Sequence, residues 1–248
     1  MSQAPLAVLL CAGVGSRLRP LTDDRPKSLV EVNGEPILLR AVRRLVDHGV
    51  RELVLATGYR EDALRRALSS CPIPVHYCPN EAYDRTQNSI SLLFCREAVA
   101  GRAFYLLDGD VLFHPEILTR LDGGDADLAV AVERRTDMGD EEMKVLVEGE
   151  RVRAFGKGLD PRKSFGESIG IARIGERAGT RLFDELARVH EAGTTNLYYE
   201  DVFGHLIETG HLVKAIDIGT RPWIEVDTPE DLARAEALVR SGKLDPTA

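Results

Sequence analysis

Short strand-type runs alternate with segments of helical period through the first half of the chain, and this alternation restricts the fold more than any other feature. Leu6 to Cys11, Glu52 to Thr57, Pro74 to Cys78, Ala103 to Leu107 and Leu128 to Glu133 read as strands. Between them, Pro36 to Val46 carries apolar residues at Ile37, Leu38, Ala41, Val42 and Leu45, a helical period with proline at its start. Asp62 to Leu68, Ser89 to Val99 and His114 to Leu121 read as further helices. Strands that take turns with helices need crossover connections, so they predict a parallel sheet covered on both faces.

The pattern then changes. Met143 to Val147 and Val152 to Phe155 flank Glu148-Gly149-Glu150, a predicted hairpin. Ser168 to Ala172 reads as a strand and Thr180 to Ala192 as an amphipathic helix. Val213 to Ile216 and Trp223 to Val226 read as strands. Asp227-Thr228-Pro229-Glu230 opens a last helix: Thr228 can cap it, Pro229 suits its first position, and Glu230 and Asp231 favour its positive dipole end. No linker or repeat interrupts the chain. The expectation is one α/β domain over residues 1–248, with a doubly wound, mixed but mostly parallel Rossmann-like sheet that a β-rich C-terminal half extends.

Charge narrows the partners. With 32 Lys and Arg against 40 Asp and Glu, the net charge is −8. A generic nucleic-acid binder needs a basic footprint, so nucleic acid is not an expected partner, although a local basic pocket for a small phosphorylated ligand remains open. The longest apolar runs fall far short of the ~20 residues that span a bilayer, so no membrane partner is expected. MSQAPLAVLLCAG has no positive region before its apolar stretch and reads as a strand rather than a signal peptide. Cys11, Cys71, Cys78 and Cys95 form no Cys-x-x-Cys pair, which fits reduced thiols in a cytoplasmic protein. None of the six histidines pairs at metal-ligand spacing.

Leu10 to Leu29, LCAGVGSRLRPLTDDRPKSL, carries the strongest chemical signal. A strand runs into Ala12-Gly13-Val14-Gly15, followed by Ser16, Arg17 and, after a further stretch, Lys27. Glycines let backbone N–H groups approach an anion closely. Arg17 can grip phosphate oxygens in pairs, and Lys27 acts as a point charge. The dinucleotide fingerprint fails because its third glycine position is Leu18, and the Walker loop fails because Pro26 precedes Lys27.

Gly13-x-Gly15-x-Arg17…Pro26-Lys27 resembles the signature loop of sugar-phosphate nucleotidyltransferases. Gly34-Glu35-Pro36-Ile37-Leu38, Val54 to Tyr59, Leu107-Asp108-Gly109-Asp110 and Glu225 to Leu232 resemble further elements of that family, in its order, over roughly residues 5–238. Asn80 to Tyr83, Asn88 to Leu92, Met143-Lys144-Val145, Gly166 to Gly170 and Tyr198-Tyr199-Glu200-Asp201 resemble the phosphocholine and aminoethylphosphonate cytidylyltransferases. The resemblance implies transfer of CMP from CTP to a small phosphorylated alcohol or phosphonate, with Mg²⁺ as cofactor. Residues 1–135 then form the nucleotide-binding half and 136–248 the acceptor-binding half. Inositol-phosphate cytidylyltransferases, sugar-1-phosphate nucleotidyltransferases and a non-catalytic nucleotide sensor are the alternatives, and a homodimer is compatible with the sequence.

The expected roles follow from the chemistry. Attack by an ionised phosphate needs charge neutralisation and positioning rather than a general base. Arg17 and Lys27 are the expected catalytic cations, and Asp110 and Asp227 the expected metal ligands, each ending a strand at the carboxyl edge of the sheet. Both aspartates read alternatively as turn or cap residues. Leu10, Ala12, Gly13, Gly15, Ser16, Asn80, Asn88, Ser89 and Asp108 are assigned to the nucleotide. Lys144, Glu167, Tyr198, Glu200, Asp201 and Trp223 are assigned to the acceptor, the aromatic and acidic groups suiting a cationic head. In Trp223-Ile224-Glu225-Val226-Asp227 the strand period puts Trp223, Glu225 and Asp227 on one face and turns Ile224 and Val226 toward the core.

Overall fold

The computed structural model describes residues 6–123 and 126–245. Residues 1–5, 124–125 and 246–248 of the expected 1–248 unit lie outside the described residues. Strand β1 (Leu6–Leu10) leads into the glycine loop, two short 3₁₀ turns (Ser16–Leu18 and Lys27–Leu29) and a small hairpin, β2 (Glu31–Val32) and β3 (Glu35–Pro36). Helix α1 (Ile37–His48) starts after Pro36 and stops at Gly49, whose left-handed φ of 106° lets its N–H reach the Leu45 and Val46 carbonyls. Then come β4 (Glu52–Thr57), α2 (Glu61–Ala67), β5 (Val75–Pro79), α3 (Asn88–Leu93) and α4 (Arg96–Val99). The single helix expected over Ser89 to Val99 is broken. A tight turn, with the Cys95 N–H 2.9 Å from the Leu92 carbonyl, buries Cys95 and turns Phe94 outward.

The chain continues through β6 (Phe104–Asp108), β7 (Val111–Phe113), α5 (Glu116–Asp122), β8 (Leu128–Glu133), β9 (Lys144–Glu148), β10 (Arg151–Gly156) and β11 (Gly166–Ile174). It ends in α6 (Glu176–Glu191), α7 (Tyr199–Glu208), β12 (Lys214–Asp217), β13 (Trp223–Glu225) and α8 (Pro229–Arg240). Strands β2, β3 and β7 and helix α7 were not among the expected elements. The aromatic and acidic residues Tyr198 to Asp201 open α7, whose buried Tyr199, Val202, Phe203 and Leu206 recur at helical spacing.

Nine strands form one sheet in the order β5-β4-β1-β6-β11-β8-β12-β10-β9. β5, β4, β1 and β6 run parallel, as expected for the first half. β11 enters antiparallel between β6 and β8, and β10 and β9 are antiparallel too, so the whole is mixed. The first residues of β11, Gly166 and Glu167, also pair with β9, which curls the second half back on itself. Alternate residues of β1 face opposite layers. Leu6 and Val8 pack with residues of α3, α6 and α7, whereas Ala7 and Leu9 pack with those of α1, α2 and α5. β1 lies between β4 and β6: the chain passes from β1 to β4 through α1 on one face, and from β5 to β6 through α3 and α4 on the other. That is a switch point, where a cleft opens beyond the carboxyl ends of the strands.

Two features aim the cleft. The register Leu10↔Asp108 brings the ends of β1 and β6 level. The β7–β13 pair, Glu225↔Val111 with the Val226 N–H 3.1 Å from the Asp110 carbonyl, draws the end of β13 beside Asp110. Ile224 and Val226 pack into a third core cluster under α8, as the strand period requires. The four cysteines are free thiols, three of them buried.

Gly170 sits where the register of β11 shifts between Ser168 and Ala172, at φ 72°. A Cβ there would lie 2.5 Å from Asp108 Oδ2. Left-handed strain and this overlap add, so Gly170→Ala should lower unfolding free energy by about 2–4 kcal/mol in urea denaturation. Unchanged stability would mean that β11 does not press on Asp108.

Candidate active site

The floor of the cleft is stitched together by backbone bonds. The Cys11 N–H reaches the Ala56 carbonyl at 2.8 Å, the Tyr59 N–H reaches Ala12 at 3.1 Å, and the Gly109 N–H reaches Leu10 at 3.0 Å. A Cβ on Gly109 would sit 2.6 Å from the Leu10 carbonyl oxygen, so only glycine allows β1 and β6 to end this close together. Beyond Ala12 the loop is held from beneath, since the Gly15 carbonyl accepts from Leu18 N–H at 3.0 Å and from Thr22 Oγ1 at 2.9 Å. Among the described residues, the N–H groups of Gly13 to Arg17 meet no protein acceptor. A run of free amides around a left-handed glycine is an anion-binding concavity.

Across from the loop stand three carboxylates. Asp110, Glu225 and Asp227 each offer an oxygen, and these oxygens lie within 4.8 Å of one another. The Lys27 ammonium contacts both Asp110 and Asp227 and lies 4.0 Å from Glu225 Oε1. Arg17 Nη2 pairs with Asp227 Oδ2 at 2.8 Å. Burial works to lower the pKa of Lys27, but Asp110, Asp227 and Glu225 outweigh it and hold the ammonium above the usual lysine range. Glu225 is pushed up to about 8, first by the protein around it and then by Asp110 and Asp227. Burial, with Glu200, Asp110 and Glu225 nearby, holds Asp108 well above the usual carboxylate range, while Tyr199 Oη donates to it at 3.2 Å. Beneath them, burial pushes the Cys11 thiol up to about 12, so it is no nucleophile.

Asp110 Oδ1 is buried with no hydrogen-bond partner. A buried acceptor without a donor, beside two further carboxylates, is a donor set that fits a hard divalent cation. Asp110 and Asp227 were the expected pair. Glu225 was missed as the third member, although the strand period had already put it on the face of Asp227.

The cleft has a volume of about 940 Å³, in the upper range of small-ligand sites. Of the expected residues, Leu10, Ala12, Gly13, Gly15, Ser16, Arg17, Lys27, Asn88 and Asp108 line it, as do Glu167, Tyr198, Glu200, Trp223, Asp110 and Asp227. Glu133, Arg135, Glu141, Glu142 and Lys157 also line it and were not anticipated. They come from the last residue of β8, the segment between β8 and β9, and the residue that follows β10, which only the folded sheet brings to the cleft.

Four expected contacts need correction. Asn80 is fully buried, and its amide is spent on Thr86 Oγ1, Ser91 Oγ and the Ala82 N–H at 2.9–3.0 Å, so it shapes the loop instead of facing a nucleotide. Ser89 donates to the Leu197 carbonyl at 2.6 Å. Asp201 closes a capping box by accepting from the Tyr198 N–H at 2.8 Å. Lys144 is 2% exposed and donates to the Lys157 carbonyl at 2.6 Å, because Met143, not Lys144, faces the cleft. Asn88 lines the cleft, yet its Oδ1 accepts from the Tyr199 N–H at 3.0 Å and so ties α3 to α7. Trp223 packs partly into the core, and Lys157 Nζ lies 4.8 Å from the Tyr198 ring centroid, so a cation of the chain itself occupies that ring.

Fold and cleft together are those of a nucleotidyltransferase. The chain belongs to the MobA-like NTP transferase domain family, whose profile matches residues 7–197. It is 34% identical over 237 residues to the bifunctional IPC transferase and DIPP synthase of Rubrobacter xylanophilus, covering 94% of this chain and 51% of that protein. It is 31% identical over 247 residues to the CMP-5'-(3-aminopropyl)phosphonate synthase of Streptomyces rubellomurinus, covering 93% of this chain and 38% of that one. The chain thus spans about half or less of these relatives. The solved inositol-1-phosphate CTP transferase from T. maritima aligns over 100% of both chains, with a TM-score of 0.82 and 25% identity. Among the described residues no helix is long and apolar enough to cross a membrane.

Glu167 gives the cleft a measurable pH signature. Burial pushes its carboxyl up to about 7, against the partial relief of Arg135 Nη1 at 3.0 Å. A raised carboxyl costs nothing below the unfolded value near 4.5, where both states are protonated. The cost grows as pH rises and is complete above about 7. Between those pH values the protein should lose up to about 3 kcal/mol of stability relative to Glu167→Gln, read from parallel urea titrations. A pH-independent difference would remove the buried, protonated Glu167.

Proposed function

We propose that the chain is a cytidylyltransferase that moves CMP from CTP onto the phosphate or phosphonate of a small acceptor. The observation that carries this reading is the confrontation of the free-amide loop and Arg17 with the Asp110–Glu225–Asp227 cluster in one cleft. An acceptor oxygen attacks the α-phosphorus, the bond to the bridging oxygen of the β-phosphate breaks, and pyrophosphate leaves with that electron pair. The Gly13–Arg17 amides and Arg17 hold the phosphates of CTP and neutralise charge that develops on them. Lys27 adds a compact positive charge beside the reacting phosphates. Mg²⁺ held by Asp110, Asp227 and Glu225 would supply further charge neutralisation at the α-phosphate. Residues 1–135 serve chiefly the nucleotide and residues 136–248 chiefly the acceptor.

For the acceptor we favour a phosphorylated amino alcohol or aminophosphonate. Glu133, Glu141, Glu142, Glu167 and Glu200 line the far side of the cleft, where Arg135 and Lys157 are the opposing cations. Such a wall suits an ammonium head. With Lys157 already on the Tyr198 ring, carboxylates rather than an aromatic cage would hold it. The second reading is an inositol phosphate, whose hydroxyls carboxylates can also accept. The similarity to the inositol-1-phosphate CTP transferase from T. maritima favours it.

Pyrophosphate release with CTP against phosphocholine, aminoethylphosphonate, phosphoethanolamine, inositol phosphate and hexose 1-phosphates tests both readings. Turnover is expected with an amino-bearing acceptor. Turnover only with inositol phosphate would select the second reading, and none with any acceptor and Mg²⁺ would remove the proposal. Asp110→Asn and Asp227→Asn should each lower kcat at least ~10²-fold, the scale of losing one preorganised electrostatic group. Near-normal turnover in either variant would take that residue out of the site. Arg17→Ala should lower kcat more than it raises KM for CTP, and a change confined to KM would assign Arg17 to uniform binding.

A further inference from the structure

We propose that Lys27 is an internal counter-cation that occupies the carboxylate cluster until nucleotide phosphate draws it out, so that divalent cation binding depends on the nucleotide. This rests on the reading of Asp110, Glu225 and Asp227 as the cation site. The Lys27 ammonium contacts Asp110 and Asp227 and lies 4.0 Å from Glu225, which are the same three carboxylates. A divalent cation taking these ligands must displace an ammonium that already shares their oxygens, or suffer its repulsion at contact range. Arg17 cannot replace Lys27 as the neutralising group, because its contact in the cluster is with Asp227 alone.

The same residue has a path toward phosphate. Its methylene stem lies against Gly15, where a Cβ would meet Lys27 Cβ, Cγ and Cδ at 2.7, 3.1 and 3.3 Å. Gly15 is also the left-handed member of the free-amide loop. The stem therefore runs beside the anion-binding amides while its head rests among the carboxylates. A phosphate bound at Gly13 to Arg17 offers the ammonium new oxygens near its own stem. Rotation of a flexible four-carbon chain then exchanges one set of oxygens for the other without backbone movement. Nucleotide and cation are thereby coupled, each favouring the other's site, and the coupling is reciprocal.

Mn²⁺ binding without nucleotide, followed by the paramagnetic signal of the free ion, tests the exchange without any turnover. Lys27→Met and Lys27→Gln should bind Mn²⁺ at least ~10-fold more tightly than the wild-type protein, a difference of about 1.4 kcal/mol. Mn²⁺ should also raise their melting temperatures more than it raises that of the wild type. Adding Asp110→Asn to Lys27→Met should abolish the gained binding. Wild-type affinity equal to that of both Lys27 variants would overturn the proposal while leaving the cation site intact. Gained binding that survives Asp110→Asn would also overturn it, because the ion would then sit elsewhere. No Mn²⁺ binding by any of these proteins would sink the cation-site reading itself, and the proposal with it.

Discussion

Three carboxylates whose oxygens lie within 4.8 Å of one another cannot all be charged without a cation between them. The site depends on that constraint. Lys27 answers it from the loop side and Arg17 answers it at Asp227. Lys27 and Arg17 come from the loop and the carboxylates from the ends of β6 and β13, so their attraction ties these segments together. Asp110 Oδ1, buried without a hydrogen-bond partner, leaves one acceptor of the cluster open to a further cation.

Two backbone pairings hold the cluster against its own repulsion. The Leu10↔Asp108 register, with no side chain at Gly109, sets the ends of β1 and β6 level beneath the loop. The antiparallel β7–β13 pair carries Glu225 and Asp227 to Asp110 from far along the chain. Its underside is anchored by Ile224 and Val226 in the core cluster under α8. Burial of apolar side chains on one face of β13 thus holds in place the charges on the other.

The part of the cleft around Glu167 and Glu200 is organised differently. Its groups are held by side chains that tie secondary elements together. Asn88 accepts from the Tyr199 N–H, Ser89 donates to Leu197, and Tyr199 Oη donates to Asp108. Glu200 and Glu167, both buried and both pushed up to about 7, face the cleft with carboxyls easily converted between neutral and charged forms. A charged group brought against this wall can therefore change its protonation state.

Local pattern alone determined much of this protein. The strand-helix alternation, the glycine loop with Arg17 and Lys27, the two aspartates at strand ends and the cap of α8 were all legible, because each depends on neighbours within a few residues. The period of two even placed Glu225 beside Asp227. Tertiary structure decided the rest. The β11 strand enters antiparallel between β6 and β8, and no local preference encodes that partner choice. Asn80, Ser89 and Lys144 looked like ligand contacts because their side chains are polar, yet the fold surrounds them with internal acceptors and donors that satisfy them. Arg135, Lys157, Glu133, Glu141 and Glu142 carried no spacing signal, since what brings them to the cleft is the pairing of distant strands such as β11 with β9. Sequence specifies which groups a residue can offer, and long-range pairing specifies whether those groups are already used.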